Sequence, residues 1–174
     1  ITNALKNNTC NSEGITNNQN NILLVEQENI ELGFVGTPKE INLSIIKQII
    51  EEKKVPVIAP LGLDENNQVY NINADTAAGA IAKKLNARRL IIMSDVEGVL
   101  DDNRNLISEI NTKKVNDLIE SQTINGGMIP KIKNCLDVAS NGVKGVCIID
   151  GRLNHSILFE LLTNACLLYT SPSP

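Results

Sequence analysis

An α/β protein with a largely parallel open sheet is what this 174-residue chain predicts, and three observations carry the prediction. Residues 55–59, 90–93 and 143–149 are short apolar runs without alternation, the pattern of strands buried on both faces. Amphipathic helical patterns separate them, as parallel crossovers require. The chain is 42% hydrophobic, yet aromatics are only 2% and Trp is absent, so the core must be built from Ile, Leu, Val and Ala. Aliphatic layers of helix on sheet suit that composition better than an aromatic-rich β-sandwich.

The elements follow in order. The first twenty residues are polar and Asn-rich and predict little beyond a helix end over residues 4–8. An apolar run at 22–25 and a loose alternation at 30–35 (Ile30, Leu32, Phe34) predict a hairpin. Asn42 is a good N-cap for a helix over 43–53 with Leu43, Ile46, Ile49 and Ile50 on one face. Pro56 interrupts the apolar strand at 55–59, and Asp64-Glu65-Asn66-Asn67 is a turn signal between short strands. The clearest helix is 75–85, whose Ala77, Ala78, Ile81, Ala82 and Leu85 face one way. Further helices are predicted over 112–120, 128–139 and 155–162. Gly126-Gly127 opens the second of these, with Pro130 in its first turn, where a missing N–H costs little.

Composition excludes several function classes. A net charge of −4 argues against a nucleic-acid partner. The short basic clusters sit at predicted helix ends, where they complement the dipole. No apolar run approaches the ~18 residues of a membrane span. Cys10, Cys135, Cys147 and Cys166 are widely spaced and read as thiols of a reducing compartment, not as a metal site or a disulfide framework. A soluble, cytoplasmic protein with neither nucleic-acid nor membrane partners is expected. The P-loop and protein-kinase signatures are absent, and the single histidine, His155, follows Asn154 near a helix start, where a surface or capping role is expected rather than catalysis.

Three polar constellations fall where open α/β sheets gather ligands, at the carboxyl ends of strands. In Asn71-Ile72-Asn73-Ala74-Asp75 the period of two points Asn71, Asn73 and Asp75 to one side, just before the Ala-rich helix. Capping of that helix holds a slight edge over a binding role on this motif alone. Asp95 to Asp101 leaves the strand at 90–93 through a Gly-containing turn, suited equally to a ribose contact or to a plain turn. Gly126-Gly127 leads into a helix N-terminus, where exposed N–H groups and the dipole favour an anion. Lys131 lies in that first turn, where a cation opposes the dipole unless a phosphate reverses the sign.

The runs NINADTAAGAIA (71–82), LIIMSDVEGVLDD (90–102), TINGGMIPKIKNCLDVASNGVKGVCIIDGR (123–152) and HSILFELLT (155–163) resemble the acetylglutamate kinases of the amino acid kinase fold. GFVGTPKEIN (33–42) and VPVIAPLG (55–62) fit as well, and the likeness covers residues 1–163, weakest before residue 22. The resemblance implies an αβα sandwich in two lobes, incomplete at its N-terminus. Residues 1–86 would be the remainder of an acetylglutamate-binding lobe, 87–164 an ATP-binding lobe, and 165–174 a tail foreign to the family pattern. It implies an ATP-dependent phosphorylation of N-acetyl-L-glutamate at its side-chain carboxylate, a step of arginine biosynthesis, and a homo-oligomer when full length.

By the same resemblance Asn71 and Asn73 are substrate-binding. Lys131 would neutralise charge on the migrating phosphoryl group, and Asp75 would orient the catalytic lysines. Asp95, Val96, Gly98, Val99, Leu100, Thr123, Ile124 and Asn125 would line the ATP pocket. Mg²⁺ would arrive with the nucleotide, largely without a protein cage. A carboxylate acceptor is ionised at neutral pH, so no general base is needed. The family's N-terminal strand, with its lysine and glycine-rich loop, is missing from these residues, so little or no activity is expected of this polypeptide alone. Other readings stay open: a carbamate, aspartate or uridylate kinase of the same fold, or a non-catalytic nucleotide-binding or regulatory module.

Overall fold

The first unit of the chain, Ile1–Lys84, runs α1 (Thr2–Asn7), β1 (Ser12–Ile15), β2 (Leu23–Gln27), a 3-10 turn (Ile30–Leu32), β3 (Gly36–Ile41), α2 (Ser44–Glu51), β4 (Val55–Ile58), β5 (Leu61–Leu63), β6 (Val69–Asn71) and α3 (Ala74–Leu85) to its last residue but one. These come from a computed structural model. It describes residues 1–16, 22–96, 98–101, 105–107, 109–110, 112–124, 126–162 and 169–170, the side chains of 109, 110, 112, 169 and 170 excepted.

β1 and β4 pair in parallel from Ser12↔Val55 to Ile15↔Ile58. A second sheet has the order β3-β2-β5-β6, with β2–β3 and β5–β6 antiparallel and β2–β5 parallel at Leu24↔Leu63. Its core side chains include Leu23, Val25, Tyr70 and Ile72. Asp64 makes the β5–β6 turn: its Oδ1 accepts the N–H groups of Asn66 and Gln68, each at 2.8 Å. This is the turn chemistry that an Asp at such a position supplies.

Three expectations need correction in this unit. The hairpin forms, but its second strand is β3, one segment later than residues 30–35. The Asn29 side chain accepts from Glu31 N at 3.0 Å, and Gly33 sits at φ 66°, so Ile30–Leu32 winds into a turn and Ile30 stays 84% exposed. In α2 only Ile46 and Ile49 are buried, while Ile50 is half exposed; the apolar stripe is narrower than the sequence suggests. Strand β4 is half-buried rather than enclosed, because β1 is its single partner strand and α2 packs against it.

The second unit, Leu85–Pro174, holds β7 (Leu90–Ser94), β8 (Glu109–Ile110), α4 (Thr112–Glu120), α5 (Met128–Ser140), β9 (Val146–Asp150), α6 (Ser156–Leu162) and β10 (Tyr169–Thr170). β7 and β9 pair in parallel from Leu90↔Val146 to Ser94↔Asp150. All five residues of β9 are buried, with α5 and α6 packed against it. Ile132, Cys135, Val138 and Ala139 form the buried stripe of α5, the one-face pattern of an amphipathic helix. Arg89 joins the entry of β7 to α6, its Nη1 lying 2.9 Å from the Glu160 carbonyl and 3.3 Å from Glu160 Oε1. β10 pairs in parallel with β8. The result is an α/β protein with mostly parallel pairing, as expected. Among the described residues no helix is long and apolar enough to cross a membrane.

Candidate functional site

In the first unit the chain passes from β6 into α3 through Asn71, Ile72 and Asn73. Ile72 is 1% exposed, while Asn71 and Asn73 on either side are exposed, so the period of two holds as far as Asn73. Beyond it Ala74 is exposed and Asp75 half-buried, because helix α3 has begun and the three polar side chains do not continue one strand-like row. Backbone bonds pin the passage: Asn71 N–H donates to the Phe34 carbonyl at 2.8 Å and Ile72 N–H to the Pro60 carbonyl at 2.9 Å. Asn73 caps α3. Its Oδ1 accepts Asp75 N–H at 3.0 Å and Thr76 N–H at 3.1 Å, two of the donors that a helix start leaves unpaired. Asp75, half-buried in the first turn, places a carboxylate where the helix dipole favours one.

In the second unit, β7 ends at Ser94 and delivers exposed Asp95 and half-buried Val96 to the carboxyl edge of the β7–β9 pair. Gly98 follows at φ 136°, a conformation open to glycine, and Val99 turns back into the core. Val99 and Leu100 then enter a small antiparallel turn, with Ile107 N–H on the Val99 carbonyl at 2.8 Å and Leu100 bridged to Leu106. Of these five expected lining residues Gly98 and Val99 are buried, Val96 and Leu100 are half-buried, and Asp95 is exposed.

Between α4 and α5, Ile124 is buried with its N–H on the Leu118 carbonyl at 3.0 Å, and Thr123 Oγ1 lies 2.8 Å from Ser121 Oγ. Asn125 lies outside the described residues. Gly126 has φ 55°, which favours glycine, but Gly127 sits at an ordinary helical φ of −67°. A Cβ at Gly127 would meet nothing within 4 Å. Neither backbone nor neighbours demand glycine there. In the first turn of α5 the Ile129 N–H already donates to the Gly126 carbonyl at 3.3 Å and Pro130 has no N–H, while Lys131 in the same turn is half-buried. Among the described residues no cluster of His, Cys, Asp and Glu could hold a metal ion.

The sequence reading missed Asp150 and Arg152. Asp150 ends β9 at 2% exposure, beside Ser94 in the register, and Gly151 N–H donates to the Ser94 carbonyl at 2.8 Å. Arg152 grips its carboxylate through Nε at 2.9 Å and Nη2 at 2.8 Å, and its backbone N–H adds a third bond at 2.9 Å. These bonds hold the Asp150 pKa below the usual carboxylate value. The signal was available, since a carboxylate closing an unbroken apolar strand must find a partner.

Parallel strands β7 and β9 that end side by side beneath polar turns, with helices packed against β9, define an α/β protein of largely parallel pairing. The chain belongs to the amino acid kinase family, whose model matches residues 1–150. It is 63% identical over 164 residues to the acetylglutamate kinase of Pelagibacter ubique, covering 94% of this chain and 57% of that protein. Its identity to the acetylglutamate kinase of Rhodopseudomonas palustris strain TIE-1 is 47% over 138 residues, covering 79% and 46%. The chain thus spans about half the length of these curated relatives. In fold it is similar to the smu.665 protein of Streptococcus mutans UA159, with a TM-score of 0.84, 27% identity, and coverage of 99% of this chain and 65% of that one.

Proposed function

We propose that the protein containing this chain transfers the γ-phosphoryl group of ATP to the side-chain carboxylate of N-acetyl-L-glutamate, a reaction of arginine biosynthesis. The carboxylate oxygen forms a bond to phosphorus as the bond to the β-phosphate oxygen breaks, giving N-acetyl-glutamyl phosphate and ADP. The 63% identity to an acetylglutamate kinase over nearly the whole chain supports the substrate. The observation that supports the chemistry is Lys131 in the first turn of α5, where the negative charge of a nucleotide phosphate would offset the meeting of a cation with the helix dipole.

Phosphoryl transfer spreads negative charge over the equatorial oxygens, so positioned cations and amides supply most of the catalysis. Lys131 and the α5 amides would take that charge. Asp75 would orient the lysines. Asn71 would hold the acetylglutamate. The carboxylate acceptor arrives ionised, so no side chain must remove a proton. The turn from Asp95 to Leu100, with Thr123, Ile124 and Asn125, would line the nucleotide site. Magnesium would travel with the nucleotide, and no residue here is assigned to it. The acceptor lobe is assigned to the first unit and the ATP lobe to the second, in a cytoplasmic homo-oligomer.

Lys131→Ala in the full-length enzyme tests the reading. ADP release that depends on acetylglutamate should fall about 100-fold or more in kcat. Undiminished turnover in the variant would remove Lys131 from the reaction. Carbamate, aspartate and uridylate offered to the parent enzyme should give no comparable rate, and ATP binding without any turnover would make the protein a nucleotide-binding module instead.

A further inference from the structure

Two asparagines, Asn71 and Asn73, share one side of the passage into α3, but their side chains are engaged differently. Asn73 Oδ1 meets three donors: Asp75 N–H at 3.0 Å, Thr76 N–H at 3.1 Å and the Thr76 hydroxyl at 3.4 Å. An amide oxygen has two lone pairs, so this atom has nothing left for a substrate donor, and a contact with acetylglutamate could come only from the side-chain NH₂, which an Asn73→Ser substitution removes. Its backbone carbonyl is also committed, accepting Ala77 N–H at 2.9 Å as the first bond of the helix. Buried Ile72 and the bonds from Asn71 N–H and Ile72 N–H lock the approach from the strand side. Asn73 therefore stands between a clamped strand end and the residue whose carboxylate the reaction uses, and it holds that residue's own N–H.

We propose that Asn73 is a positioning residue, which acts through Asp75 by capping α3 and does not bind the acetylglutamate. The proposal rests on the kinase assignment. Without the cap the first turn of α3 loses two bonds to N–H groups, and Asp75 is released with it. The loss then falls on the chemical step, while the acetylglutamate site keeps Asn71.

The test uses the full-length enzyme with Asn73→Ala and Asn73→Ser. Serine supplies an N-cap oxygen about as good as asparagine's but no amide nitrogen, so it separates capping from contact. Asn73→Ala should lower kcat about tenfold, with the KM for acetylglutamate within about twofold of the parent. Asn73→Ser should recover most of that loss. A KM for acetylglutamate raised severalfold and equally in both variants, with kcat intact, would overturn the proposal in favour of direct contact. If the alanine variant does not fold, the serine variant decides alone: an unchanged KM supports positioning and a raised one overturns it. Failure of the kinase assignment shows separately, as a parent enzyme that releases no acetylglutamate-dependent ADP, and the proposal falls with it.

Discussion

Asp150 is a buried carboxylate whose charge is met by the Arg152 side chain two residues on. Its folded pKa is lowered, so its contribution to stability is present above the unfolded carboxylate value near ~4 and is lost as pH falls through the folded value. Arg152→Gln should therefore destabilise the protein at neutral pH, and the gap between parent and variant should close as pH falls below the unfolded carboxylate value and through the lower folded one. Urea melts across that range measure it, and a gap that stays constant would show that Arg152 does not hold the Asp150 charge. At the same scale, Asn73 was legible in the sequence because an Asn two residues before an acidic first turn is a cap pattern. The Asp150–Arg152 pair is less legible, because an Asp that ends an apolar strand shows that a partner is needed but not which residue supplies it.

The core of the second unit rests on β9 and α5. Ile148 is fully buried, and truncation to alanine should cost roughly 2–5 kcal/mol, seen as a lower urea midpoint. In the first unit β5 presses against β2 so closely that a Cβ at Gly62 would overlap Val25 Cγ1 and lie 2.9 Å from the Leu23 carbonyl. Gly62→Ala should cost about 1–3 kcal/mol by overpacking, with the melting temperature as the readout. Elements of this kind were readable to different degrees. Residues 146–150 announce themselves because a strand covered on both faces needs few polar positions. Residues 90–94, equally apolar and expected to be enclosed, bury only Leu90 and Ile92 and leave Met93 half exposed, since β7 has one face less covered than its sequence suggests. β3 reads GTPKEI and carries almost no apolar signal; it is a strand because β2 offers an antiparallel edge from Leu23↔Ile41 to Gln27↔Gly36. Residues 30–35 show the converse, an apolar alternation that Asn29 and Gly33 convert into a turn. β1, four residues reading SEGI, becomes a strand only beside β4.

At the scale of the whole molecule, the chain spans 57% of the Pelagibacter ubique relative. On the proposed function, these 174 residues alone should release ADP at a negligible rate in the presence of ATP and acetylglutamate, and a protein of the relatives' length at a far higher one. A coupled ADP assay on both measures this, and kinase-level turnover by the short chain would mean that its residues suffice for the reaction. The α/β class, the helices from Ser44, Ala74, Thr112 and Met128, and the cap at Asn73 were determined by the sequence itself, since periodicity and capping act over a few neighbouring residues. Which short segments pair as strands, which isoleucines of α2 are covered, and how Ser94 comes to lie beside Asp150 were decided by tertiary structure. Strand pairing and burial depend on partners distant in sequence, and no local pattern of residues can specify them.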